Sequence, residues 1–229
     1  MKRSLLGLVS LLLLITTALW LVFMIVDMAS AGPLDTFAQV LAHTAKLSGL
    51  FYATYVNATL LTLCATAWMA LLYVECRAAS PGWSIIGAAF VPIYGVLNLV
   101  AYFSQITVVP QLLALHGLPD YEAAATVLLR MSLQLWPDSA VAMFNSTAYA
   151  ILGIPSIIFG LILAQRGGAE RAGGILLGLN ALACIGGLVG SVAGIAVLEP
   201  GVVLGGVLFF AALFPLTWAW LREKDDNSE

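Results

Sequence analysis

The sequence predicts an all-α integral membrane protein, a six-transmembrane-helix bundle with two amphipathic helices on the non-cytoplasmic side. Three observations carry this reading. Only 9% of the 229 residues are charged, against about 25% in a soluble domain. The charges are also clustered, so that residues 4–26, 47–74, 78–119, 139–165, 172–198 and 200–221 carry none. Each window exceeds the roughly 18 residues that mark a spanning helix at 1.5 Å rise per residue. Finally, lipid tolerates only helices or closed barrels, and the strict alternation of a barrel strand is absent.

The spans fall at about 4–26, 48–75, 83–109, 139–165, 173–197 and 201–221. The third window is too long for one crossing, so its helix is placed between Trp83 and Pro110. No linker or second domain interrupts the chain, which reads as one polytopic domain over residues 1–229.

Lys and Arg orient the spans. Lys2, Arg3, Arg77, Arg166, Arg171, Arg222 and Lys224 share one side, and the other holds only Lys46 and Arg130. Seven against two places both termini in the cytoplasm, of a bacterial plasma membrane in this reading. The acidic tail at Asp225, Asp226 and Glu229 adds little to that rule. The net charge of −3 comes with no basic patch, so nucleic acid is not an expected partner.

The first span poses a processing question. "MKR", an apolar run and "MASAGP" outline a signal peptide with Ala29-Ser30-Ala31 as its cleavage site. The apolar run is 23 residues, longer than a signal core, and Asp27 precedes the site. An uncleaved span is the preferred reading.

Two loops are long enough for structure. Residues 34–46 set Leu34, Phe37, Ala38, Leu41 and Ala45 on one helical face. Residues 120–135 do the same with Tyr121, Ala124, Val127, Leu128, Met131 and Leu135, and Asp120 is the expected N-cap. Both are expected in the outer interface, or as a lid over a cavity between spans.

Ten of the 21 glycines fall within residues 173–206. The four-residue spacing of Gly186, Gly190 and Gly194 lets helix backbones approach closely. Spans five and six are expected to pack as a hairpin through these residues, with a homodimer surface as the alternative. Cys64, Cys76 and Cys184 fit neither a disulfide framework nor a zinc motif and read as small packing residues. No metal or other cofactor is expected.

The third span carries the candidate site. At 100° per residue, Tyr94, Gln105, Asn98 and Tyr102 lie at about 0°, 20°, 40° and 80° on one face. They cover about 16 Å of helix axis. Amides facing hydrocarbon cost several kcal/mol, so the stripe should point inward. Asn145, Ser146 and Tyr149 of span four, and Tyr52, Tyr55, Thr59, Thr62 and Thr66 of span two, are its candidate partners. Asn57 falls on the opposite side. The matches to the glycosylation sequon at 57–59 and 145–147 lie within spans and are read as chance.

Two readings stay open for this stripe: interhelical glue, or a pocket for a small neutral or lipid-like ligand built on Tyr94, Asn98, Tyr102, Gln105, Asn145, Tyr149 and Tyr55. No ionisable residue lies mid-span, which disfavours a coupled pump. No catalytic motif appears. The expected function is therefore non-catalytic ligand binding. The alternatives are an uncoupled transporter, or an interfacial enzyme using His43, His116, Asp120, Glu122 and Asp138.

Overall fold

A computed structural model describes residues 2–226, with side chains from Arg3 to Arg222. Lys2, Lys224, Asp225 and Asp226 therefore lie outside the described side chains, and Glu229 outside the described residues altogether. Eight α-helices follow one another: α1 (Lys2–Ala31), α2 (Phe37–Thr44), α3 (Gly49–Cys76), α4 (Pro81–His116), α5 (Glu122–Ser132), α6 (Ala140–Ala164), α7 (Gly168–Ala193) and α8 (Gly201–Asp226). No strand occurs among the described residues. Six of these helices (α1, α3, α4, α6, α7 and α8) are long and apolar enough to cross a membrane. The chain is a multi-pass helical membrane protein.

Caps set several starts. Ser48 accepts from the Phe51 amide at 3.0 Å and Ser139 from the Ala142 amide at 2.9 Å. Thr36 and Gln39 form a reciprocal capping box at α2. Asp120 caps nothing: α5 begins at Glu122 behind Tyr121, which makes no side-chain cap bond.

The spanning helices form a closed ring in chain order. α1 packs on α3, α3 on α4, α4 on α6, α6 on α7, α7 on α8, and α8 returns to α1. Aromatic rings fill much of the interior. Trp68 meets Phe209 edge-on at 5.7 Å and Trp220 at 6.2 Å, beside Phe159, Leu72 and Leu216. Polar bonds staple neighbours at several seams. Ser10 meets Thr217 at 2.7 Å across α1–α8, Asn57 donates to the Thr16 carbonyl at 2.8 Å across α1–α3, and Asn180 donates to the Gly205 carbonyl at 2.8 Å across α7–α8. Such bonds inside a bilayer contribute about 0.6 kcal/mol each. α1 is a full member of the ring, and Ala29-Ser30-Ala31 forms its last turn.

Glycine lets the backbones touch. A Cβ at Gly174 would stand 2.6 Å from the Ala164 nitrogen, and one at Gly160 would stand 2.7 Å from the Gly174 carbonyl oxygen, so α6 and α7 meet backbone to backbone. Gly187 and Gly201 do the same between α7 and α8, and a Cβ at Gly205 would run into the Cys184 sulfur. Of the expected trio, Gly190 lies against Leu198 and Glu199, Gly186 faces open space, and Gly194 is the left-handed C-cap of α7 at φ 66°. The contact stripe thus runs one residue away from the sequence pattern at Gly186–Gly187.

α4 does not stop at Pro110. It runs 36 residues, through Pro92 and Pro110, to His116. At 1.5 Å per residue this is about 54 Å, well beyond the roughly 30 Å bilayer core. A proline removes one ladder bond but need not end a membrane helix when neighbours pack around it. Here the last turns are held by a second, smaller core: Val109 and Leu112 of α4 with Phe37 and Val40 of α2, Leu129 of α5 and Leu133 just after it. α2 and α5 thus form a cap on one end of the ring. The faces differ from the expected ones. α2 buries Phe37, Val40 and Thr44, and α5 buries Ala125 and Leu129, leaving Tyr121, Val127, Leu128 and Met131 exposed.

Charge fastens the opposite end. Glu75 of α3 accepts from Arg3 at 2.9 Å and from Arg166 at 2.8 Å, and Arg166 also reaches Glu170 at 3.2 Å. The Trp220 indole donates to Glu170 at 2.8 Å. Burial alone would pull the Arg166 guanidinium down, but its bond to Glu75 and the charges of Glu170 and Glu75 outweigh this and raise its pKa.

Candidate functional site

The stripe on α4 turns inward, as its spacing requires. Tyr94 and Asn98 are 0% exposed, Gln105 1% and Tyr102 2%. Asn98 Nδ2 donates to Thr62 Oγ1 of α3 at 3.2 Å and to the Tyr94 hydroxyl at 3.3 Å. The Tyr102 and Tyr149 hydroxyls meet at 2.8 Å, joining α4 to α6. Tyr94 and Tyr149 rings lie 6.3 Å apart, and Tyr55 and Tyr102 rings 6.4 Å. Four phenols from three helices therefore pack together as one polar-aromatic compartment of the core between α3, α4 and α6.

Residues 132–134, the end of α5 and the start of its link to α6, are bonded to this cluster. Gln105 Nε2 donates to the Ser132 carbonyl at 2.9 Å, and the Gln134 amide donates to Gln105 Oε1 at 3.1 Å. The Tyr55 hydroxyl donates to Gln134 Oε1 at 3.1 Å. A buried Gln with both ends engaged makes a two-point clasp. The clasp and the compartment occupy consecutive turns of α4, because Gln105 follows Tyr102 on the same face.

Two amide oxygens in this region are buried and have no hydrogen-bond partner among the described residues: Asn98 Oδ1, and Asn145 Oδ1 one turn from Tyr149 on α6. Leaving such an acceptor unpaired costs about 1–3 kcal/mol. Buried polar atoms are paired in the great majority of cases, so each exception calls for an explanation. The rest of the expected partner set divides. Thr62 reaches the stripe, Tyr52 is exposed, and Thr59 and Thr66 bond carbonyls of their own helix at 2.8 Å. Asn57 serves α1 instead.

Beside the compartment, on the outer face between α3 and α4, runs an apolar groove of about 520 Å³ lined by Thr59, Leu63, Phe103 and Ser104 among others. Ser104 links the two spaces, since its Oγ accepts from Gln105 Nε2 at 3.1 Å.

The loop acids and histidines are not gathered. Asp120, Glu122 and Asp138 are exposed. His43 turns away from them and places Nε2 3.2 Å from Asp27 Oδ2, with side chains 8% and 7% exposed. Sequence reasoning missed this pair, because Asp27 reads as the solvated end of a span. The signal was there in a lone acid followed, 16 residues on, by one of only two histidines. No group of three His, Cys, Asp or Glu residues suited to a metal meets among the described residues. Cys64, Cys76 and Cys184 are free thiols.

No protein-family model, no curated protein and no solved structure matches this chain.

Proposed function

We propose that this protein is a non-catalytic receptor or carrier in a bacterial plasma membrane, with both termini cytoplasmic. In this reading it takes up a small neutral or lipid-like molecule in an outward-facing compartment between α3, α4 and α6. The observation that carries the reading is the pair of buried, unpartnered amide oxygens, Asn98 Oδ1 and Asn145 Oδ1, beside four phenols. Acceptors without partners, flanked by aromatic faces, suit a ligand with one or two hydrogen-bond donors on an apolar body. The neutral partners of the stripe, Thr62, Tyr149 and the Ser132 carbonyl, suit a neutral ligand. The 132–134 segment supplies the lid, and the apolar groove at Ser104 supports approach from the bilayer. Cytoplasmic termini are part of this reading, and the gathering of Arg3 and Arg166 at the end opposite the cap supports them.

Native mass spectrometry of protein gently extracted from its own membrane tests this. Wild type retains a small molecule, whereas Asn98→Leu with Gln105→Leu loses it and keeps its helical content. A wild type without any retained molecule, together with a double variant that fails to fold, assigns the stripe to structural glue.

A further inference from the structure

The buried Asp27–His43 pair belongs neither to the compartment nor to the charge network at the far end. Its imidazole is held by one nitrogen only. Nε2 faces the carboxylate at 3.2 Å, while Nδ1 is buried with no partner among the described residues, as is the hydroxyl of the next residue, Thr44. A histidine fixed from both sides has its proton state set by two partners; this one has a single partner, itself ionisable.

We propose that Asp27 and His43 form a proton-binding site that controls the cap. With the carboxylate ionised and the imidazole protonated, the pair is neutral overall and holds α2 to the end of α1. When the imidazole loses its proton, a buried carboxylate is left with one neutral donor, and such a charge favours hydration over burial. The cap therefore stays shut while the imidazole carries its proton and loosens when that proton leaves.

The mechanical link is short. α2 carries Phe37 edge-on against Trp136 at 5.7 Å, and Val40 in the small core with Leu129 and Leu133. Leu133 lies between Ser132 and Gln134, the two residues that Gln105 clasps. Tyr55 of α3 holds the same segment from the other side, donating to Gln134 at 3.1 Å. The other ionisable groups at the cap include exposed Glu122 of α5 and Asp138 in the chain after it. Arg130 of α5 stacks its guanidinium 5.0 Å from the Phe37 ring, Asp35 and Lys46 flank α2 exposed, and His116 ends α4 with its Nδ1 buried. Control of ligand access through this pair rests on the compartment proposed above; control of the cap does not.

The test uses the full chain in lipid nanodiscs, with no ligand added. Histidine is labelled with 15N and tryptophan with 19F; His116→Ala and Trp136→Phe identify the two resonances that matter. The expected result is that the His43 imidazole and Trp136 resonances move over the same pH interval, and that Asp27→Asn abolishes the Trp136 movement. A His43 that titrates while Trp136 stays still overturns the proposal. So does a His43 that does not titrate at any pH where the chain remains folded. Should Asp27→Asn fail to fold, the wild-type comparison alone decides. A cap that moves with His43 in a protein that retains no small molecule separates this inference from the ligand-binding reading.

Discussion

Glu75 accepts from two guanidinium groups, and its side chain is 16% exposed. Replacing it leaves Arg3 and Arg166 to share Glu170, so Glu75→Gln is expected to lower stability by about 1–3 kcal/mol. Thermal unfolding in detergent measures the loss, and a cycle with Arg166→Gln should show coupling between the two sites. The sign of the pH effect follows from the raised Arg166 pKa. A raised group contributes fully below its ordinary value and is lost only above it, so this end of the bundle keeps its cation at every pH where the chain folds. The cap end has no such insurance and is expected to lose protection first as pH rises, read as faster amide exchange in α2 than in the first turns of α7. The residues of the α4 stripe were legible because period 3.6 puts Tyr94, Asn98, Tyr102 and Gln105 on one face whatever the neighbours are. Their partners were not, because a side chain's choice between Thr62 and a ligand depends on distances that no spacing encodes. Asp27 and His43 escaped for another reason. Gly32 at φ 73° turns the chain back between them, and a reversal brings together residues whose separation fits no helical or strand period.

Among the elements, α6 and α7 depend on having no side chain where they cross. Gly174→Ala would drive a methyl into the Ala164 backbone, which cannot rotate aside, at a cost of about 1–3 kcal/mol or more. Gly186→Ala meets nothing within 4 Å and should leave the melting temperature unchanged. Finding equal effects at both positions would reject the α7 register. Exposed Ser191 on α7 offers a check on assembly: Ser191→Cys stays uncrosslinked in the bilayer if the glycines serve the α7–α8 hairpin, and gives a covalent dimer if copies pair there. The existence of all six spanning helices was legible from charge-free windows, since lipid leaves the backbone few options. The end of α4 was not. Pro110 signals a stop only when nothing compensates the missing bond, and the core that compensates it is assembled from α2 and from the chain around α5. The buried face of α5 was obscured likewise, because apolar residues occur on both sides of that short helix.

For the molecule as a whole, the ring is the feature that organises the rest. Its closing seam can be tested directly. Ser10→Cys with Thr217→Cys should oxidise to a crosslink within one chain, because the native oxygens already meet at 2.7 Å. A gel shift after cleavage between α3 and α4 reads it. The alternative outcome, a crosslinked dimer, would show that α1 and α8 meet their counterparts in another copy. The closed ring also has a consequence for how the protein is made. Neighbouring helices in the chain are neighbours in space, so each new span finds its partner as soon as it emerges. Only one seam must wait, since 207 residues separate Ser10 from Thr217. At about 5–20 residues per second, the open flank of α1 stands unpaired for roughly 10–40 s of synthesis. During that interval lipid or a helper protein must cover Ser10, until the arrival of α8 brings Thr217 to close the seam.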